Sequence, residues 1–286
     1  MFQTQLTEAM STKIETAIVT GAASGIGRAI ARKLASRGIN ILVVDIQKDV
    51  GSTTAASIAK EFNVDAVFHY ADMTQEEDIK GMVHAAVSRW GRLDWAANNA
   101  GKGERLDDNE DHVTAADFDQ LYHLNQRGVW LCQKYEAEQM RKQDLRLPNG
   151  VSENLGGRLH RGAIVNVASI CAHVATGMPS YTASKHAILG ITKIGGLFYG
   201  KHNIRCNSVS PGPVLTPEYA EFKKTFADDP RFSEQSTGWS NRCPLQRPST
   251  PEEQANVVSF LLSGESSFVN CSDIKVDGGL TSVADR

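Results

Sequence analysis

The sequence predicts an α/β fold, a doubly wound parallel sheet flanked by helices on both faces. Three observations predict it. Short β-rich runs alternate with helical periodicity along nearly the whole chain, the pattern of a parallel sheet. Residues Ile39 to Asp45 (INILVVD) form a continuous apolar run, which a strand covered on both faces needs. Gly21, Gly25 and Gly27 fall between the first strand and the first helix. Right-handed crossovers then give a Rossmann-type arrangement, whose ligands bind beyond the carboxyl ends of the strands.

The elements follow in order. Thr16 to Thr20 is a short β-rich run. A helical pattern runs from Ser24 to Ser36, and Gly38 ends it where glycine suits the chain leaving a helix. Strands are predicted over 39–45, 66–70 and 93–98, with helices over 49–61 and 75–89 between them. A long helix spans Thr114 to Gln143, broken near Leu124–Asn125. Residues 144–161 are polar, with Pro148 and three glycines. They read as an exposed loop longer than ordinary connections. It is either a tolerated surface loop or a contact with a neighbouring subunit or the cleft rim. Strands over 163–168 and 204–210 enclose a helix over 180–200. Prolines break 211–249 into short pieces, and a helix over 251–262 and a strand over 273–277 close the chain. Residues 1–13 read as a flexible segment and 14–286 as one domain, because nothing resembles a linker.

Composition narrows the function. The chain has 286 residues, 41% hydrophobic and 22% charged, within the globular norm. Its net charge of −3 offers no basic excess for nucleic acid or an anionic membrane. Five cysteines, an odd number without a C-x-x-C pair, suggest a reducing compartment. The histidines show no ligand spacing, so no structural metal is expected. The N-terminal stretch lacks an apolar signal core, and no apolar run approaches the ~20 residues of a membrane span. A cytoplasmic protein with a small-molecule partner, or another copy of itself, is expected.

The glycine loop Thr20-Gly-Ala-Ala-Ser-Gly-Ile-Gly27 carries the first chemical signal. Gly21 allows a tight turn, Gly25 a close approach to a pyrophosphate, and Gly27 close packing of helix on sheet. The helix start then offers free N–H groups and partial positive charge to phosphates. Asp45 ends the second strand, 18 residues after Gly27. A carboxylate there accepts hydrogen bonds from both adenosine ribose hydroxyls and repels a 2′-phosphate, favouring NAD over NADP. Lys48 nearby would soften that preference, and Asp45 could also simply cap the strand end.

The spacing G-x-x-x-G-x-G with Thr20 in front resembles that of the classical short-chain dehydrogenases/reductases, from about residue 14 to residue 280. Ser169 and Tyr181-x-x-x-Lys185 match the family's serine and Tyr-x-x-x-Lys, and Asn125 its catalytic asparagine. The resemblance implies that Tyr181 is the acid/base, that Lys185 also holds the nicotinamide ribose, that Ser169 holds the substrate oxygen, and that Asn125 kinks its helix and anchors a water. Physical chemistry agrees for the pair. Tyr181 and Lys185 share a helix face at i, i+4. An ammonium and an oxidised nicotinamide lower the phenol's pKa from its usual 10 or so.

The resemblance also implies a cofactor-binding set of Gly21, Ser24, Gly25, Ile26, Gly27, Asp45, Ile46, Asp72, Met73, Asn99, Ala100, Gly101, Tyr181, Lys185, Pro211, Gly212, Val214 and Thr216. Within it, Asp72-Met73 would bracket the adenine, though an aspartate there could equally be an N-cap. Asn98-Asn-Ala-Gly101 would approach the cofactor. Pro211-Gly-Pro-Val-Leu-Thr216 would meet the carboxamide at Val214 and the phosphates at Thr216. Val276-Asp-Gly-Gly279 resembles a signature at a subunit contact. The family's Thr-Gly before the last strand is Asn270-Cys271 here, which implies a different turn. Substrate-binding residues would be Ser169, His173, Tyr181 and Gly212. His173 and Met178 would line the cleft, or His173 would face solvent. Residues 212–249 would be the substrate flap. Its Leu215, Tyr219, Phe222, Phe226, Phe232 and Trp239 suggest an apolar substrate or the flap's own small core.

The function expected is an NAD(H)-dependent oxidoreductase acting on the hydroxyl or carbonyl of a hydrophobic small molecule. A redox-neutral isomerase, dehydratase or cyclase, or a non-catalytic NAD-sensing module, stays open. Apolar faces on 114–140 and 180–200 suit a homo-oligomer or the core; the resemblance favours a tetramer or dimer.

Overall fold

The computed structural model describes residues 14–104, 109–149, 159–175, 177–225 and 242–283. The segment 1–13 expected to be flexible lies outside the described residues. Seven strands are β1 (Thr16–Thr20), β2 (Asn40–Asp45), β3 (Ala66–Tyr70), β4 (Trp95–Asn98), β5 (Gly162–Val167), β6 (Ile204–Pro211) and β7 (Asp273–Val276). They form one sheet in the order β3-β2-β1-β4-β5-β6-β7. Every neighbouring pair is parallel. The order reverses between β1 and β4, which opens a crevice at the carboxyl edge.

Helices cover both faces. They are α1 (Gly25–Ala35), α2 (Lys48–Phe62), α3 (Glu76–Trp90), α4 (Ala115–Leu121), α5 (Val129–Arg141), α6 (Pro179–Gly200), α7 (Pro217–Thr225) and α8 (Pro251–Leu262). Side chains alternate along a strand. Ala17 and Val19 therefore pack with Ile30 and Leu34 of α1 and Val258 and Leu261 of α8. Ile18 faces the other way, with Ile79 and Met82 of α3 and Leu131 and Met140 of α5. Each such fully buried side chain stabilises the fold by about 1.5–3 kcal/mol.

The predicted break near Leu124–Asn125 is a π-helical stretch, Tyr122–Gly128, joining α4 to α5. It turns the fully buried Asn125 into the molecule. Gly128 sits in the same stretch, and a Cβ there would lie 2.6 Å from the Met73 carbonyl oxygen.

Two expectations need correction. β4 starts at Trp95 rather than Leu93, because the Gln143 side chain accepts from the Leu93 N–H and donates to its carbonyl. The 144–161 segment is not an exposed loop at its ends. Arg146 and His160 pair their backbones and are 8% and 7% exposed. Arg146 donates to the Ile14 carbonyl and pairs with buried Asp94, which also holds Arg92. His160 stacks on Trp95 at 4.6 Å. Burial, then the charges of Arg205, Arg146 and Arg92, push its pKa down to about 3. Residues 150–158 between these ends lie outside the described residues.

Candidate active site

The first wall is the glycine loop. Gly21 and Gly25 have φ of 64° and 53°, the left-handed region that glycine tolerates. At Gly27 a Cβ would lie 2.1 Å from the Gly21 carbonyl oxygen. Ser24 begins α1 without a side-chain cap, and the first turn carries no acidic residue. The helix start therefore keeps its N–H groups for an outside anion. Thr216 lies opposite, with its methyl 3.4 Å from where a Gly25 Cβ would be. A bare turn and an uncapped helix start fit a dinucleotide's pyrophosphate.

Neighbouring loops are fastened to this one. The Thr20 hydroxyl accepts from the Asn99 and Ala100 N–H groups, and the Asn99 amide donates to the Thr20 carbonyl. Asp45 accepts from Ala23 N–H with one oxygen and from Gln47 N–H with the other, each at 3.0 Å. It thus caps the strand end. Exposed Ile46 adjoins it. Lys48 lies over the Tyr70 ring at 4.7 Å. The Asp72 carboxylate accepts from Thr74, and Met73 is buried in the core, so the backbone of that turn is what remains for an adenine. Ile26 packs against the core beside α1.

The second wall comes from β5, α6 and β6. Ser169 ends the strand segment and accepts from Cys171 N–H at 3.2 Å. Lys185 Nζ donates to the Val167 carbonyl at 3.0 Å and lies 5.4 Å from the centre of the Tyr181 ring. The Asn125 amide closes a pair of bonds with the Lys102 backbone at 3.0 and 2.9 Å. A Cβ on Gly101 would stand 3.1 Å from Asn125 Oδ1 and 3.6 Å from Lys185 Nζ. Asn125, Lys185 and Gly101 thus meet at one point. Pro211 and Gly212 end β6, where a Gly212 Cβ would touch Asp277, and buried Val214 bridges to Ser249.

The electrostatics differ from expectation. Burial raises the Tyr181 phenol above its ordinary value, with the Cys171 and Glu218 charges adding to it and a Ser169 hydrogen bond opposing it. Burial also pushes Lys185 down to about 8. The chain alone does not make a phenolate, because desolvation outweighs the neighbouring ammonium.

His173 Nε2 is engaged by Asp273 at 2.8 Å and Ser210 at 3.3 Å. Met178 is half-buried just before α6. Of the flap aromatics, Tyr219 is half-buried and its N–H meets the Thr216 hydroxyl, while Leu215 is exposed. The side chains of Phe222, Phe226, Phe232 and Trp239 lie outside the described residues. Cys271 has φ of 57°. That is the left-handed region where glycine is at ease. Glu104 and Glu218 were not anticipated. Glu104 accepts from the Tyr181 N–H at 2.8 Å, and Glu218 from the Gly103 N–H at 3.3 Å. A single glutamate, in the loop after β4 or in the first turn of α7, gives no sequence signal for either role.

Comparisons with known proteins agree with this layout. Residues 21–281 match the family model described as enoyl-(acyl carrier protein) reductase. A short-chain dehydrogenase/reductase of Armillaria gallica is 35% identical, covering 92% of this chain and 95% of that protein. A 2,5-dichloro-2,5-cyclohexadiene-1,4-diol dehydrogenase of Sphingobium indicum is 34% identical, over 94% of this chain and 98% of that one. The crystal structure of an actinorhodin polyketide ketoreductase with NADPH superposes with a TM-score of 0.81 at 29% identity, covering 96% of this chain and all of that one. A seven-stranded parallel sheet of this order and a family match over nine-tenths of the sequence lead to one assignment: the chain belongs to the classical short-chain dehydrogenase/reductase family of oxidoreductases.

Proposed function

We propose that the chain is an NAD(H)-dependent dehydrogenase/reductase for a secondary alcohol or ketone on a hydrophobic, ring-bearing small molecule. The observation that carries this reading is the meeting of Tyr181, Lys185, Ser169 and Asn125 beside the glycine cradle. When bound, the nicotinamide supplies or accepts the hydride. Ser169 holds the substrate oxygen. Tyr181 takes the hydroxyl proton during oxidation and returns it during reduction. Lys185 would hold the ribose and favours the phenolate. Burial keeps Tyr181 protonated in the chain alone, and positive charge beside it, from Lys185 and from an oxidised nicotinamide when bound, would favour the phenolate. Asn125 anchors the water that carries the proton onward.

Gly21, Ser24, Gly25, Ile26, Gly27 and Thr216 take the pyrophosphate end. Ile46, Asp72 and Met73 flank the adenine, and Asn99, Ala100, Gly101, Pro211, Gly212 and Val214 the nicotinamide end. Asp45 favours NAD over NADP, and the stacking of Lys48 on Tyr70 supports this, since it engages the lysine that could soften the preference. His173 and Gly212 bound the substrate, His173 through the ring nitrogen that Asp273 leaves unused. Exposed Ile194, Leu197 and Phe198 on α6 support a homo-oligomer, dimer or tetramer. Five free cysteines support a reducing, cytoplasmic setting. No helix among the described residues is long and apolar enough to cross a membrane.

The test is Tyr181→Phe. Turnover of a cyclic secondary alcohol should fall roughly a thousandfold, while NADH still binds in a fluorescence titration. A variant that keeps most of its rate would rule out the mechanism. Tighter binding of NADPH than NADH by the parent protein would rule out the Asp45 argument.

A further inference from the structure

We propose that Glu104 is a substrate-recognition residue and that the substrate carries a second hydroxyl group, as a diol or hydroxy ketone does. This rests on the reading of Tyr181 as acid/base. Glu104 stands three residues beyond Gly101, in the loop after β4. Its Oε2 accepts from the Tyr181 N–H at 2.8 Å. That bond fixes the carboxylate to the first turn of α6, at the residue whose side chain meets the reacting oxygen. The other oxygen, Oε1, is buried and has no hydrogen-bond partner. An ionised carboxylate can only accept. A buried acceptor left open costs the desolvation of that group, so Oε1 calls for a donor from outside the chain.

The hydroxyls of Ser180 and Thr182, which flank that bond, are themselves buried without partners and do not bond Oε1. None of the ion pairs among the described residues involves Glu104. From the opposite wall, Glu218 at the start of α7 bonds the Gly103 N–H and raises the pKa of both Tyr181 and Lys185. Two carboxylates, one from the loop and one from the flap, therefore stand near the same pair. The donor that suits Oε1 is a hydroxyl rather than an ammonium. A hydroxyl supplies the bond without taking a further charge out of water, which an ammonium would require.

A matched set of alcohols tests this. The probes are cyclohexane-1,2-diol, its monomethyl ether, which keeps the shape and loses the donor, and cyclohexanol, each oxidised with NAD⁺. In the parent protein kcat/KM for the diol should exceed that for the ether by roughly tenfold to a hundredfold. Glu104→Ala should collapse the ratio. Glu104→Gln should lower it while keeping an oxygen for the Tyr181 N–H, which separates recognition from folding. An NADH titration checks that each variant is folded. If the ratio is the same in all three proteins, or near one in the parent, the recognition role is overturned while the oxidoreductase reading stands. If no alcohol is oxidised in a Tyr181-dependent way, both are overturned.

Discussion

The two ends of the chain treat buried polar groups differently. Between Ile14 and Gly91, which build β1 to β3 and the glycine loop, every buried side-chain nitrogen or oxygen among the described residues has a partner. The nine that lack one all lie at Arg92 or beyond. They include Glu104 Oε1, Ser180 Oγ and Thr182 Oγ1 around the start of α6, and Asn98 Oδ1 and Glu136 Oε1 under the sheet. The first region completes its own hydrogen bonding through the backbone, as Asp45 does with the Ala23 and Gln47 N–H groups. The second region leaves bonds open, some beside Tyr181 at the start of α6 and others far from it, under the sheet and at Arg146 and His160.

The largest effect comes from breaking the completed region. Gly27→Ala drives a methyl into the Gly21 carbonyl and the Asn99 amide. It should cost at least about 3 kcal/mol, beyond ordinary overpacking because one partner is backbone. Denaturant unfolding measures it, and parent-like stability would show that the loop is not packed this tightly.

A smaller effect comes from completing a gap in the second region. Glu136 is wholly buried, and its Oε2 accepts from the Asn98 amide at 3.0 Å. Burial pushes its pKa up to about 8, against that hydrogen bond. Between pH 4.5 and 8 the folded chain keeps this proton and the unfolded chain releases it. Stability from this group is therefore full below pH 4.5 and is lost as the pH rises through 8. Glu136→Gln has no proton to lose, so it should be more stable than the parent at pH 8.5, by a few kcal/mol. Melting curves from pH 5 to 9 decide it, and parallel profiles for the two proteins would refute it.

The smallest effect is at Cys271. The left-handed backbone there strains a side-chain-bearing residue by about 1–2 kcal/mol, against about 0.5–1 kcal/mol of added chain entropy for glycine. Cys271→Gly should therefore gain about 0.5–1 kcal/mol in chemical denaturation. A clear loss would mean that the thiol's contact with the Lys193 carbonyl outweighs the strain.

The strands were legible because a sheet covered on both faces demands unbroken apolar runs, as at Ile39 to Asp45. The break at Asn125 was legible, but not its π-helical form, which depends on how α4 and α5 pack against α6. The ends of the 144–161 segment were misread because Arg146 and His160 look like surface residues. Only Asp94, Ile14 and Trp95, distant in sequence, make their burial tolerable. The glycine loop and the Tyr181–Lys185 spacing were legible because their chemistry fixes local spacing. Glu104 was not, since its partner is a backbone N–H far along the chain.

The Arg146–His160 pairing has a consequence for engineering. It joins residues 146 and 160 through their backbones, so the cost of closing the chain between them grows only logarithmically with its length. Doubling the segment between the clamp residues adds only about 0.6 kcal/mol. The clamp sits at the amino edge of the sheet, away from the catalytic cleft. It offers an attachment point for a tag, an epitope or a whole inserted domain that spares the chemistry at the other edge.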